Sequence, residues 1–592
     1  MSSNDISPVA RGMSRAIHAF WQRLSHRRRM QFFVLVGLSL IASVAEVASL
    51  AMLFPLLMLL TTPEQALSHG LIRRFADFLN ISDNSDLAFA ALASFIVASL
   101  AAGVVRFVVL MANNKYTFGL AAELSEQTYR KCLYQPYSVQ LQRSSSSLID
   151  GVIHKTLAVT TNVVSQLLVL MTSTLIGTSI LITLFVTDPM VAGITGGTFT
   201  LVYTIITLTV RKQLKQNGET IARQSTQVTK ALQEGLGGIR DVLIDGTQNV
   251  YVQVFRAADR PIKAALARNA VIAGSPRFIV ETLGMVLIAT LAFLLMGPNG
   301  GAGSAIPTLG VLALGAQRLL PMLQQSYAAI ATIRGTEASL REVIELLDQP
   351  DEPVQSAELV SFEHNIQLKG VEFQYPTTSA PALHNVDLTI AKGSRIGLYG
   401  ATGGGKSTTL DVIMGLLSPT GGRLLVDGVE ITEERQVSWR RQVAHVPQAI
   451  YLSDGTIAEN IAFGFPREQI DIERLHASAT SAQIADTIES WPDGYNTRVG
   501  ERGVRISGGQ RQRIGVARAL YKRADLIILD EATSALDNKT ESALIAAIES
   551  LGPNVTIIMV AHRLSTLRNC DWLVEIEGGS VKRIGSYEDI VA

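Results

Sequence analysis

One run of residues, Gly400, Ala401, Thr402, Gly403, Gly404, Gly405, Lys406, Ser407 and Thr408, is of the kind that holds phosphate. The glycines let the backbone bend until successive N–H groups surround phosphate oxygens at a helix N-terminus. Lys406 brings positive charge to β- and γ-phosphates, and the Ser407 hydroxyl can ligate Mg2+. The flanks suit this use: the apolar run Ser394–Tyr399 reads as a strand and Leu410–Leu417 as a helix. A second apolar strand, Leu526–Leu529, ends on Asp530 and Glu531. Taken alone, an acid pair there caps the next helix. Beside a phosphate loop, Asp530 is placed to hold Mg2+ and Glu531 to polarise an attacking water as general base. A third group, Ile506, Ser507, Gly508, Gly509 and Gln510, opens the basic helix Arg511–Tyr521 and makes another anion site. Two separate phosphate surfaces in one chain make sense if the second completes the site of a partner subunit.

The elements that carry these groups fall in the second half of the chain. There, short β-rich runs such as Asn365–Tyr375 and Val386–Ile390 alternate with helical ones. The first half is different. Of 592 residues, 47% are hydrophobic and 17% charged, against about a quarter charged in an ordinary soluble protein. The deficit is concentrated in six apolar stretches, Phe32–Leu60, Leu87–Met111, Leu157–Val186, Met190–Val210, Phe278–Met296 and Ile306–Ile333. Each has about the 20 residues needed to cross a bilayer core. The fold class that follows is multidomain, a six-helix transmembrane domain and then an α/β P-loop ATPase domain. The expected boundaries are 1–30 for an N-terminal segment, 31–340 for the transmembrane domain, 341–360 for a linker and 361–592 for the ATPase domain. The polar stretch Asp348–Glu358 marks the junction.

Six spans return the chain to its starting side, which also carries the basic stretches Arg211–Lys215 and Arg260–Arg268. That side is predicted to be cytoplasmic and to hold both the N-terminus and the ATPase domain. Arg11, Arg15, Arg23, Arg27, Arg28 and Arg29 reinforce the orientation, and Met13, Ile17, Trp21 and Leu24 recur at helical spacing. These features fit an amphipathic helix on the inner membrane surface better than a transit peptide. The long inner connections, 113–156 and 211–276, read as helices continuing beyond the membrane. Their turning points, Leu133–Ser145 and Gly237–Phe255, are candidate contacts with the ATPase. Outside, Leu67, Leu71, Ile72, Phe75 and Leu79 share one helical face, which fits an amphipathic helix on the outer leaflet or a simple lid.

Charged residues inside spans are costly and mark function by default. Glu46 and Arg318 fall near mid-span, Arg106 and Glu281 toward the inner end. They read either as two structural ion pairs or as the lining of a polar path. Lys+Arg and Asp+Glu are both 51, so no polyanion-binding character appears and no nucleic-acid partner is expected. The only cysteines, Cys132 and Cys570, are too far apart in sequence for a disulfide framework and too few for a metal site.

In order and spacing, the loop at Gly400–Thr408, the run Ile506–Gln510 and the pair Asp530–Glu531 resemble the motifs of ATP-binding-cassette half-transporters of the exporter type. The resemblance covers essentially the whole chain. It implies ATP and Mg2+ as cofactors and a dimer, expected to be of identical subunits, in which each ATP lies between one P-loop and the other chain's Ser507–Gln510. It also implies roles for single residues. Tyr375 resembles the aromatic that stacks on adenine. Gln448 resembles the residue that contacts Mg2+ and senses the membrane domain. Ser534–Asp537 resembles a loop linking the two sites, and His562 the switch on the γ-phosphate. Ile506 stands where leucine is usual and keeps the apolar character.

The expected activity is ATP-driven export or flipping by alternating access, in an integral membrane protein of a bacterial inner membrane. Leu309–Arg334 and the possible outer helix resemble bacterial flippases of lipid-linked oligosaccharides, so the expected substrate is such a lipid-linked sugar or a related glycolipid. Peptide, lipid and drug export remain alternatives. An ATP-gated channel or regulatory subunit shares the fold but does not need an intact Glu531. A soluble ATPase acting on nucleic acid is excluded by the six spans.

Overall fold

The computed structural model describes residues 12–61, 72–73, 77, 84–187, 189–295, 302–350, 360–376, 378, 380–500, 503–532, 538–549, 552, 554–561 and 564–591. The chain divides into two compact units, one of Ser2–Tyr134 and Arg143–Pro350, the other of Gln135–Gln142 and Asp351–Ala592. The expected outer helix Leu67–Leu79 lies mostly outside the described residues, as do Ser534–Asp537, His562 and most of the linker Asp348–Glu358.

The first unit is helical. Its long helices are His26–Thr61, Asn84–Leu133, Ser165–Thr187, Pro189–Gly237, Gln248–Gly274, Pro276–Leu295 and Ala302–Gly335. Among the described residues, three helical stretches are long and apolar enough by composition to cross a membrane: His26–Leu60, Asp86–Leu133 and Ser145–Thr183. Phe33, Val44, Phe89, Leu100, Phe107 and Phe278 are all more than half exposed, a surface suited to lipid rather than water. Between helices, small hydroxyls allow close approach and join hands: Ser39 meets Thr172 and Ser49 meets Ser99, both at 2.9 Å, and Ser43 meets Ser179 at 2.5 Å. A close backbone approach lies at Gly218, where an added Cβ would come within 2.4 Å of the Gly335 carbonyl oxygen.

The predicted extensions are continuous with the apolar stretches: the helices Asn84–Leu133 and Pro189–Gly237 far outrun their apolar parts. The third predicted span differs from expectation. Leading into the helix Ser165–Thr187, two π-helical turns, Gly151–Lys155 and Thr160–Val164, interrupt the α-helical ladder. Alongside them, the buried Asp150 accepts hydrogen bonds from Ser225 at 2.5 Å and Thr226 at 3.0 Å, and its carboxylate pairs with Lys155 at 3.1 Å. The amphipathic helix forms over Met13–Arg23, but its apolar face meets protein. Ala16, Ala19 and Phe20 are buried in one cluster with Leu340 and Val343 of the helix Glu337–Leu347, and Arg23 forms a two-pronged bond with Asp348 at 2.5 and 2.6 Å.

The second unit is α/β. Ten strands are described: β1 (Asn365–Phe373), β2 (Leu383–Ala391), β3 (Arg395–Tyr399), β4 (Gly421–Val426), β5 (Val429–Glu430), β6 (Val443–Val446), β7 (Leu526–Asp530), β8 (Thr556–Val560), β9 (Trp572–Glu577) and β10 (Ser580–Gly585). They make a four-stranded sheet, β2-β1-β4-β5, and a six-stranded sheet, β10-β9-β3-β8-β7-β6. The former is antiparallel and one face of it is wet, as the alternating burial of β2 shows. In the latter, β9, β3, β8, β7 and β6 run parallel, and β3, β7 and β8 are apolar runs buried on both faces. Inner faces of both sheets share a core around the fully buried Trp439, and a second core joins β7 to the helical segment 450–521.

Candidate functional site

Parallel strands deliver their carboxyl ends to one edge of a sheet, which is where ligands of such folds bind. On that edge β6, β7, β8 and β3 are neighbours. The first leads into Gln448, the second ends on Asp530 and Glu531, and the last leads into the loop 400–405. Groups more than a hundred residues apart in sequence are thereby brought side by side.

The loop is built by glycine. Gly400, Gly403 and Gly405 take φ of 144°, 80° and 106°, values that L side chains rarely adopt. At Gly400 an added Cβ would also strike the Ile576 carbonyl oxygen at 2.1 Å. The end of β9 and the turn after it thus form the back wall of the loop, and the Gly579 N–H donates to the Gly404 carbonyl at 2.9 Å. The helix begins at Lys406, not at Leu410, and ends at Ile413, because Gly415 at φ 66° turns the chain out of the helical path. Lys406 is largely buried and its ammonium donates to the Gly400 and Ala401 carbonyls at 2.8 and 2.9 Å, fixed across the loop. The Tyr375 hydroxyl lies 3.2 Å from that of Thr408, and its ring packs edge-on against Phe373. This sets an aromatic beside the phosphate loop.

Across the sheet, the Gln448 side-chain amide donates to the Glu531 carboxylate at 2.6 Å. Glu531 itself has φ 52°, a left-handed conformation that a non-glycine residue adopts at a cost of about 1–3 kcal/mol. Its N–H donates to the Val560 carbonyl of β8 at 3.0 Å, which holds the bend. The chain thus bends directly after β7, at the residue whose carboxylate meets Gln448. Asp411, on the phosphate-loop helix, lies within the field of Asp530. Burial, and then the charge of Asp530, push its carboxyl up to about 6.

Ser507 caps the helix Gly508–Lys522 in a reciprocal box. Its hydroxyl accepts from the Gln510 N–H at 3.3 Å, and the Gln510 side chain accepts from the Ser507 N–H at 3.0 Å. Ser507 and Gly508 are exposed, while Ile506 is buried in the helical core, so the isoleucine serves as an apolar anchor. His562 lies outside the described residues. The acid at Asp411 and the Ile576–Gly579 wall were missed in sequence. Asp411 offered a signal, an acid in the first turns after Lys406; the glycine pair 578–579 carries no mark that ties it to the phosphate loop.

In the helical unit, Glu46 is 2% exposed and pairs with Arg318. Arg106 joins them, its guanidinium 3.6 Å from the other carboxylate oxygen. Arg106 is therefore level with Glu46, and not with Glu281 as the sequence suggested. Glu281 pairs instead with Arg277, one turn away on its own helix, at 2.6 Å. The pairs expected from depth alone become one triad of two cations and one anion, with Glu281 outside it.

The turn Gln135–Gln142 belongs to the α/β unit, and its Tyr137 packs against that unit's core. The turn around Gly237–Phe255 lies in the helical unit, with Leu236, Leu243 and Ile244 exposed.

Residues 383–534 match the ABC transporter family. The chain is 28% identical over 495 residues to an ATP-dependent lipid A-core flippase of Cupriavidus metallidurans, covering 83% of each chain. It is 33% identical over 383 residues to a protein of the same description in Methylobacillus flagellatus, covering 64% of each. A heterocyst differentiation ATP-binding protein of Nostoc sp. is 31% identical over 392 residues, covering 65% of this chain and 63% of that one. Among solved structures, a bacterial Atm1-family ABC exporter with ATP bound superposes with a TM-score of 0.78 at 22% identity, covering 95% of this chain and 96% of its own.

Proposed function

We propose, from the premise that this chain is an ATP-binding-cassette half-transporter of the exporter fold, that it flips a lipid-linked oligosaccharide or related glycolipid across a bacterial inner membrane as a homodimer. ATP hydrolysis coupled to transport is the activity of this family, and the ATPase site here has the groups for it. ATP is held by the 400–408 backbone and Lys406, with Tyr375 beside the base. Glu531 takes a proton from water as the water oxygen attacks the γ-phosphorus and the bond to ADP breaks. Gln448, bonded to Glu531, fixes the direction of that carboxylate. His562 is proposed to contact the γ-phosphate.

Mg2+ fits the residues present. Ser407, Gln448 and Asp530 each offer an oxygen ligand of the kind a hard dication takes, and the carboxyl of Asp411 lies within the field of Asp530. When bound, the ion would neutralise charge on the phosphates. The partner subunit's Ser507, Gly508, Gly509 and Gln510 are proposed to close on the γ-phosphate, since Ser507 and Gly508 are exposed and unused by their own P-loop. Closure would pass to the helices through the turns at Leu133–Ser145 and Gly237–Phe255.

For the substrate, the carrying observation is the triad Glu46, Arg106 and Arg318, which leaves one net positive charge among apolar helices. Such a charge suits a phosphate-bearing lipid better than a neutral drug. Glu281, paired locally, is proposed only as part of the wall. The test is ATP-driven flipping of lipid-linked sugars, lipid A-type glycolipids, peptides and dyes in reconstituted vesicles. Movement of dyes or peptides alone would overturn the substrate reading. The shared sites are tested by mixing Lys406→Ala and Ser507→Arg subunits. One composite site then stays intact, so ATP binding at one site per mixed dimer is expected. Complete loss in the mixed species would refute sharing.

A further inference from the structure

A cavity of 700 Å³ opens in the helical unit, lined by Gly12, Met13, Leu208, Arg211, Lys212, Lys215, Arg334, Glu337 and Arg341. It sits where the apolar stretches of the helices Pro189–Gly237 and Ala302–Gly335 give way to polar sequence, so it lies at a membrane surface. Five of its lining side chains are cationic and one is acidic. The acid is spent, since Glu337 pairs with Arg341 on its own helix, and Lys215 has Glu219 at 3.8 Å. Among the described residues, Arg211, Lys212 and Arg334 make no ion pair. One guanidinium nitrogen of Arg334, Nη1, is buried without a hydrogen-bond partner.

A buried donor left unsatisfied costs about 1–3 kcal/mol, more when charged, so such a group is normally completed by a ligand or by water. Three cations around one cavity also repel one another unless an anion is shared between them. The apolar rim adds a second constraint. Leu208 is 64% exposed, and Met13 of the amphipathic helix faces the same cavity. An anionic head against Arg211, Lys212 and Arg334 with hydrocarbon along Leu208 describes one ligand class, an amphiphile.

We propose that this cavity binds the phosphate of an anionic phospholipid of the inner leaflet, with its acyl chains running along the exposed apolar surface at Leu208. The site is separate from the triad at Glu46 and rests on no assumption about what is exported. It would tie the first helix, the fourth and sixth spans and the helix Glu337–Leu347 to the composition of the surrounding leaflet.

The test is binding of dioleoylphosphatidylglycerol to delipidated full-length protein in detergent, titrated by native mass spectrometry. Dioleoylphosphatidylcholine and glycerol 3-phosphate serve as comparison ligands. Each neutralisation, Arg211→Gln, Lys212→Gln or Arg334→Gln, is expected to weaken the phosphatidylglycerol complex about fivefold. Arg211 and Lys212 are exposed, so their variants fold even if Arg334→Gln does not, and Arg334→Lys should retain binding. Phosphatidylcholine should bind far more weakly, and millimolar glycerol 3-phosphate should not displace the lipid. Undiminished binding in Arg211→Gln/Lys212→Gln would overturn the site. Equal affinity for phosphatidylcholine would overturn the role of charge, and displacement by glycerol 3-phosphate would make it a free-phosphate site instead.

Discussion

Replacing Arg318 by leucine separates two uses of the intramembrane triad, because the structure fixes what the change leaves behind. Glu46 is almost wholly buried and would lose its nearer guanidinium, keeping only Arg106 at 3.6 Å from one oxygen. Breaking a buried pair by removing one partner costs about 3–5 kcal/mol. The surviving contact with Arg106 places the expected loss near the lower end, about 3 kcal/mol, which agrees with about 2.5–3.5 kcal/mol for a lone charge at mid-membrane. Glu46→Leu should cost less, since the side chain of Arg106 is 48% exposed and that of Arg318 29%, so neither cation is left as deeply enclosed as the Glu46 carboxylate would be. The double variant strands no carboxylate, so the two changes should be non-additive by about 2 kcal/mol. Unfolding of membrane proteins is commonly irreversible, so the assay is the thermal inactivation rate of ATPase in nanodiscs. If the pair is broken in the transition state for unfolding, Arg318→Leu should inactivate about a hundredfold faster than the unaltered protein, and adding Glu46→Leu should recover most of that. Strictly additive losses would refute the pairing argument. A fully stable Arg318→Leu protein that has lost only glycolipid-stimulated ATPase would assign the cation to substrate instead.

Three further outcomes follow from the ATPase unit. Glu531→Gln keeps the shape and loses the base, so ATP binding should persist while steady-state hydrolysis falls about 10²–10⁴-fold; turnover within a few-fold of the unaltered protein would remove Glu531 from its role. Gly400→Ala forces a Cβ against the Ile576 carbonyl at 2.1 Å in a backbone conformation that alanine rarely adopts, so equilibrium ATP binding should be lost with it, and ordinary affinity for a fluorescent ATP analogue would contradict the loop geometry. The carboxyl of Asp411 is raised from 3.8 to about 6, so the folded state binds the proton more tightly than the unfolded one, and stability falls as pH rises from about 4 through 6. Asp411→Asn mimics the protonated group: in nucleotide-free protein it should raise the melting temperature at pH 8 and change little at pH 4, and an equal effect at both would refute the shift.

How far the sequence could be read depended on how local each signal is. The phosphate loop is contiguous, so Gly400 to Thr408 carried both its chemistry and its flanking strand and helix. The acid strand Leu526–Asp530 was equally plain, because being buried on both faces leaves an uninterrupted apolar run. What the sequence could not carry was anything decided by a partner distant in the chain. Gln448 and Glu531 meet only because β6 and β7 are neighbours in the sheet. The positive φ of Glu531 has no compositional mark, since glutamate is not a residue expected there. Depth along a helix misled for the same reason. Counting residues put Arg106 level with Glu281, whereas packing of His26–Thr61 along Asn84–Leu133 puts it beside Glu46, and helical periodicity gives Glu281 a nearer partner in Arg277. The amphipathic first helix shows the limit from the other side. A one-sided apolar face says that something must cover it, and Met13–Arg23 met that need with the helix Glu337–Leu347, not with lipid alone. An apolar stripe specifies burial and leaves the partner open; a charged partner such as Asp348, bound in register by Arg23, is what selects one surface among those that would serve.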